Sequence, residues 1–204
     1  MDAPLMLNVL ARAPIAKLTD PVAHWLVDRG ATPNVITVVG SVCSCAAALW
    51  FFPHGQLVLG ALVVAVFLLF DLLDGAMARV AGATAFGAVL DASCDRLVDA
   101  VLFGSLTWWA FVIEGDHWLG LAALVGGCCA QVISYIKARA EANGLEADGG
   151  LAERAERFIL ALVGVGLHGL GVPYAAQAGL GLLALLTVFT IGQRLASLYR
   201  SASS

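Results

Sequence analysis

This sequence is short of charge. Only 13% of its 204 residues are Asp, Glu, Lys or Arg, against 60% hydrophobic and a mean hydropathy of +0.88. A chain so poor in charge cannot cover a soluble surface, which excludes an ordinary water-soluble domain. Cysteine is equally uninformative as a staple. The five, Cys43, Cys45, Cys94, Cys128 and Cys129, are odd in number, lack C-x-x-C spacing and sit in apolar segments, so they read as packing residues, not disulfides or metal ligands. Period-two alternation is missing, so no β pattern competes with helix. No basic stripe runs along any face, which excludes a nucleic-acid-binding protein. The first apolar run is broken by Arg12, Pro14, Lys17 and Asp20, and no secretory signal is predicted from it.

Long apolar runs are what is there. They predict spans at about 33–53, 57–80, 85–113, 118–141, 152–170 and 174–199, separated by turn signals such as Pro53-His54-Gly55, Gly82-Ala83-Thr84 and Glu114-Gly115-Asp116. Thr32-Pro33 gives the first span an N-cap followed by proline at the first helical position. Residues 1–31 carry Leu7, Leu10, Ile15, Leu18, Val22, Trp25 and Leu26 at helical intervals among Arg12, Lys17 and Arg29. That pattern fits a helix in the membrane interface or a soluble helix packed on the bundle. The expected fold is therefore an all-α integral membrane protein of six transmembrane helices (residues 32–204) preceded by an N-terminal interfacial helix. All eleven basic residues fall on one side of this scheme, and the loops near 54, 115 and 171 hold none. By the positive-inside rule both termini face the cytoplasm, consistent with a multi-pass protein of the cell (plasma) membrane. His24, His54, His117 and His168 lie apart from the main acidic stretch and read as interfacial residues.

That stretch is residues 71–95, DLLDGAMARVAGATAFGAVLDASCD. An ionisable side chain at bilayer depth costs at least ~2.5 to 3.5 kcal/mol, so four aspartates need a compensating partner. Asp71, Asp74, Gly75 and Ala78 fall at i, i+3, i+4 and i+7 on one helix; Gly87, Asp91 and Asp95 repeat every fourth residue on the next. Four carboxylates with no His or Cys form a hard, all-oxygen donor set suited to Mg2+ or Mn2+. Gly75 and Gly87 leave room where helices or a ligand come close. Structural ion pairs with Arg79 and Arg96 are the plainer alternative, but two cations cannot neutralise four anions. A cation transporter would need carboxylates spread through the bilayer, and the fifth and sixth spans hold none past Glu156. Further along, Ser134 and Lys137 are i, i+3 neighbours, as are Arg154 and Arg157, with Arg194 on the last span. Cations from three helices converging on one cavity would suit a phosphomonoester.

Asp71-x-x-Asp74-Gly75-x-x-Ala78-Arg79, seven residues, then Gly87-x-x-x-Asp91-x-x-x-Asp95 resembles the signature of the CDP-alcohol phosphotransferases, with all eight positions filled. The resemblance implies transfer of a substituted phosphate from a CDP-alcohol to an acceptor hydroxyl, with release of CMP. It implies metal ligation by Asp71, Asp74, Asp91 and Asp95, with Asp91 and Asp95 catalytic and Asp95 either sharing the metal or acting as base. Asn34, Thr37, Gly75, Ala78 and Arg79 would meet the nucleotide. The segments DLLDGAMAR, FGAVLDASCDR and QVISYIKARAEANGL, with the following GG-x-x-x-R-x-x-R, resemble the actinobacterial phosphatidylinositol phosphate synthases. That implies CDP-diacylglycerol and inositol 1-phosphate as substrates and a homodimer in the lipid bilayer. By that resemblance Lys137, Arg154 or Arg157, and Arg194 bind the acceptor phosphate. Phosphatidylglycerophosphate synthesis, whose acceptor is glycerol 3-phosphate, would want the same cations.

Overall fold

The structure, a computed structural model, describes residues 19–145, 147 and 150–202. Among them there is helix and turn and no strand. Helix α1 occupies residues 19–28. It is followed by α2 (Pro33–Phe51), α3 (Leu57–Ala81), α4 (Ala85–Trp108), α5 (His117–Ala142), α6 (Arg154–Gly169) and α7 (Ala175–Ala202). The start of α2 is as the Thr32-Pro33 pair predicts, with the amides of Val35 and Ile36 donating to the Thr32 carbonyl. Residues 1–18, most of the predicted interfacial segment, lie outside the described residues.

Five helical stretches are long and apolar enough to cross a membrane: Pro33–His54, Leu57–Ala81, Ala85–Glu114, His117–Ala142 and Ala175–Ala202. The sixth expected span, 152–170, is shorter in the structure. There α6 has 16 residues and opens on Arg154, Glu156 and Arg157. Large apolar side chains face outward throughout, Trp118 at 81% exposure and Leu185 at 72% among them. Such a surface suits hydrocarbon, not water.

Two compact units divide the chain, Met1–Ser44 with Val66–Asp95, and Cys45–Ala65 with Arg96–Ser204, so α2, α3 and α4 each contribute to both. In the first unit Ala23 of α1 is buried with Ala76 and Met77 of α3, and Leu26, Ile36, Leu73 and Val80 pack around them. The opposite side of α1 leaves Val22 and Trp25 exposed, and the Arg29 guanidinium lies 3.9 Å from the Trp25 ring. Between α3 and α4 the chain turns at Gly82 (φ +96°), a left-handed conformation that favours glycine. Thr84 then caps α4, its Oγ1 accepting the Gly87 amide at 3.0 Å.

In the second unit α6 and α7 approach backbone to backbone. A Cβ on Gly179 would stand 2.6 Å from the Leu160 carbonyl oxygen and 3.0 Å from Gly164 Cα, so only small residues allow this contact. The end of α4 widens into a π-helical turn, Trp109–Glu114, closed by Gly115 in the left-handed conformation. Asp116 caps α5 by accepting the Leu119 amide at 3.0 Å, and its other oxygen accepts from Gln177 at 3.2 Å. None of the five cysteines is in a disulfide; Cys94 is buried, Cys43, Cys45 and Cys129 are half-buried and Cys128 is exposed.

Candidate active site

In the first unit, α3 and α4 bring three carboxylates together. One oxygen each from Asp71, Asp91 and Asp95 lies within 4.8 Å of the others, and all three side chains are half-buried. Two come from the four-residue repeat on α4 and one from α3. Three oxygen donors at this separation can share one hard divalent cation. The chemistry of the set fits a metal and suits neither a soft thiolate-seeking ion nor an imidazole-bound zinc.

Asp74 lines the same cavity as Asp91. It is 5% exposed, and its Oδ2 accepts from the Thr37 hydroxyl of α2 at 2.5 Å. The i, i+3 spacing does place Asp71 and Asp74 on neighbouring turns, but a residue three positions on is rotated by about 60° from its predecessor. That rotation points Asp74 towards α2.

A cavity of about 390 Å³ opens beside these groups. Asn34, Thr37, Asp74, Gly75, Ala78, Gly87 and Asp91 all contribute to its wall, with Thr32, Thr84 and the backbone around Gly82. Four of the five residues expected to meet a nucleotide therefore line one hollow. The fifth, Arg79, is not on its wall: its guanidinium is 3.7 Å from Asp20 of α1, and both side chains are at least half exposed. Gly87 is needed for the shape of the cavity, since a Cβ there would lie 3.0 Å from both Asn34 Oδ1 and Thr84 Oγ1. Thr84 was legible only as part of a turn; its place on the wall follows from its capping α4.

In the second unit a separate set of cations gathers around Asp99. This carboxylate is 1% exposed and has Arg96 at 2.9 Å, Arg154 at 3.5 Å and Arg157 at 3.5 Å. Arg157, 2% exposed, also donates to the Ala152 carbonyl at 2.9 Å. Arg154 is less enclosed and reaches over the Phe158 ring at 5.1 Å. Ser134 accepts from Arg96, and the Arg96 carbonyl accepts from Gln131 at 3.0 Å. Arg194, 6% exposed, donates to the Ile133 carbonyl at 2.9 Å. Lys137 is half exposed, with Glu141 at 4.0 Å. Of the five residues expected to meet an acceptor phosphate, Arg154 and Arg157 share Asp99, and Ser134 joins them through Arg96. Asp99 had no assigned role in the sequence, and Arg96 figured there only as an alternative ion-pair partner of the four aspartates; their i, i+3 spacing inside an apolar span was the available signal.

A family model for CDP-alcohol phosphatidyltransferases matches residues 31–191. The chain is 48% identical over 196 residues to a phosphatidylinositol phosphate synthase of Mycobacterium marinum, covering 94% of this chain and 84% of that one. Its fold is similar to the crystal structure of Mycobacterium tuberculosis phosphatidylinositol phosphate synthase with CDP-DAG bound, at a TM-score of 0.87 and 48% identity over 91% of this chain and 95% of the other. A second crystal structure of that enzyme, in complex with manganese and citrate, matches at a TM-score of 0.86 and 49% identity over 90% of each chain. The eight-position aspartate signature and the match across residues 31–191 lead to one conclusion: the chain belongs to the CDP-alcohol phosphatidyltransferase family.

Proposed function

We infer that the protein transfers the phosphatidyl group from CDP-diacylglycerol to inositol 1-phosphate, giving phosphatidylinositol phosphate and CMP. The observation that carries this reading is the meeting of Asp71, Asp91 and Asp95 within 4.8 Å beside a cavity lined by the family's glycines. The relatives of nearly half-identical sequence supply the choice of acceptor. Asp71, Asp91 and Asp95 would hold a divalent cation, Mg2+ or Mn2+, which when bound neutralises charge on the diphosphate and the departing CMP. Asn34 and Thr37 present polar groups to the nucleotide, while Gly75, Ala78 and Gly87 keep the cavity open for it. Asp74, held by Thr37 through one carboxylate oxygen, keeps the other for the same cation, as the family signature implies. Asp95 accepts the proton of the acceptor hydroxyl as the new oxygen–phosphorus bond forms and the bond to CMP breaks. Arg154, Arg157 and Arg194, with Ser134 and Lys137, bind the phosphomonoester of the acceptor. Arg79, paired with Asp20 at 3.7 Å and close to Gly75 of the cavity wall, tethers that aspartate or adds its positive charge to a phosphate of the nucleotide.

The bilayer setting completes the proposal. α6 forms a sixth span; at a rise of about 1.5 Å per residue it is about 24 Å long, just under a typical hydrocarbon core. Both termini and the aspartates face the cytoplasm of the plasma membrane, where CMP and inositol phosphate exchange with solvent. Residues 19–31 lie along the interface, with Trp25 at headgroup level, and two copies form a homodimer. Purified protein in lipid nanodiscs with CDP-diacylglycerol and Mn2+ should release CMP with inositol 1-phosphate and not with inositol. Release only with glycerol 3-phosphate would replace this reading with phosphatidylglycerophosphate synthesis. Metal uptake into vesicles that Asp95→Asn abolishes, with no CMP under any condition, would replace it with transport.

A further inference from the structure

Resting on the arginine cluster as the acceptor-phosphate site, we propose that Asp99 is the positioning residue that holds this cluster in the arrangement a phosphomonoester requires. Its carboxylate is 1% exposed and takes cations from two helices, Arg96 of its own α4 and Arg154 and Arg157 of α6. Three guanidiniums from two helices are drawn to one carboxylate. Guanidiniums gathered in this way suit a phosphomonoester dianion, which a neutral polyol is not. The ion pairs to Arg154 and Arg157 are long, 3.5 Å each, and neither Asp99 oxygen makes a hydrogen bond of good geometry. Asp99 therefore draws the guanidiniums together by charge while leaving hydrogen-bonding capacity for a ligand. Arg157 Nε is one such donor, buried and without a hydrogen-bond partner.

The surrounding bonds make the arrangement specific to one pose. Thr190 Oγ1 of α7 accepts the Ala152 amide at 3.1 Å, and the Ala152 carbonyl in turn accepts from Arg157 at 2.9 Å. Arg96 is steadied through Ser134 and through Gln131 of α5. Without the carboxylate, three like charges remain in a poorly hydrated space, and mutual repulsion spreads them.

The test is a KM-against-kcat comparison of Asp99→Asn and Arg157→Gln in nanodiscs, with calorimetric binding of inositol 1-phosphate to each. Asp99→Asn should raise the acceptor KM and weaken inositol 1-phosphate binding by about tenfold or more, with the KM for CDP-diacylglycerol within about twofold of the parent. If Arg157→Gln raises the acceptor KM and Asp99→Asn does not, the role given to Asp99 is overturned and the acceptor site stands. If Arg157→Gln leaves the acceptor KM unchanged, the acceptor reading falls and the proposal with it. Should Asp99→Asn fail to fold, Asp99→Asn with Arg154→Gln, which removes one charge of each sign, is compared with Arg154→Gln alone. An acceptor KM in the double variant about tenfold above that of the single supports positioning; an equal or lower one overturns it.

Discussion

Replacing Thr37 by valine removes a single hydroxyl at nearly constant volume, so the change isolates one bond. That hydroxyl carries one proton and faces two acceptors, the Pro33 carbonyl at 3.1 Å and Asp74 Oδ2 at 2.5 Å. The shorter distance and the carboxylate's charge assign the proton to Asp74. Both side chains are largely buried, Thr37 at 8% and Asp74 at 5% exposure. A hydrogen bond to a charged group is worth about 1.5 to 3 kcal/mol, or about 10- to 150-fold in an equilibrium constant. Both residues line the cavity, and a carboxylate released from α2 would turn into it. Thr37→Val should therefore raise the KM for CDP-diacylglycerol by about tenfold or more, and Thr37→Ser should stay within about threefold of the parent. The assay is CMP release against CDP-diacylglycerol in mixed micelles at saturating Mn2+ and inositol 1-phosphate. A valine variant within about twofold of the parent would refute the role given to this bond.

Gly87→Ala should also weaken use of the lipid donor, because its Cβ would lie 3.0 Å from Asn34 Oδ1 and Thr84 Oγ1 and force one of them to move. Overpacking of this kind costs about 1 to 3 kcal/mol, read as a rise in the CDP-diacylglycerol KM with an unchanged acceptor KM. Gly179→Ala tests the helix contact: its Cβ would meet the Leu160 carbonyl at 2.6 Å and Gly164 Cα at 3.0 Å, both backbone atoms that cannot swing aside. Thermal unfolding in detergent should show a loss of about 1 to 3 kcal/mol or more. At Asp116 the Leu119 amide, and after it Gln177, hold the carboxyl below the usual carboxylate range. A lowered folded value means stabilisation fully present above the unfolded pKa and lost as pH falls through the folded one. The stability advantage of the parent over Asp116→Ala, about 1 kcal/mol for a helix cap and read from thermal unfolding, should hold from neutral pH to about 5 and shrink below about pH 4.

The helices and the aspartate group were legible because their signals are local. Apolar runs of about 20 residues mark a span without reference to anything else, and the Gly87, Asp91, Asp95 repeat puts two carboxylates on one face of α4 by helix geometry alone. What could not be read depends on partners distant in sequence. Asp74 has the same i, i+3 credentials as Asp71, yet it meets Thr37, 37 positions away on α2. Arg79 belongs to the motif by position, but Asp20 of α1 takes its guanidinium. Arg154 and Arg157 are indistinguishable by spacing, and the choice between them dissolves once Asp99, more than fifty residues upstream, is seen to take both. The difference between the two arginines is burial, 2% exposure for Arg157 against a side chain 21% exposed for Arg154. That follows from the Thr190 to Ala152 to Arg157 chain of bonds. Cation placement by the positive-inside rule explains why arginines stand at the start of α6, but it is satisfied by any orientation of their side chains. A buried carboxylate is what converts that loose requirement into a fixed set of donors, since each guanidinium must stay near it or lose the charge that offsets its own desolvation.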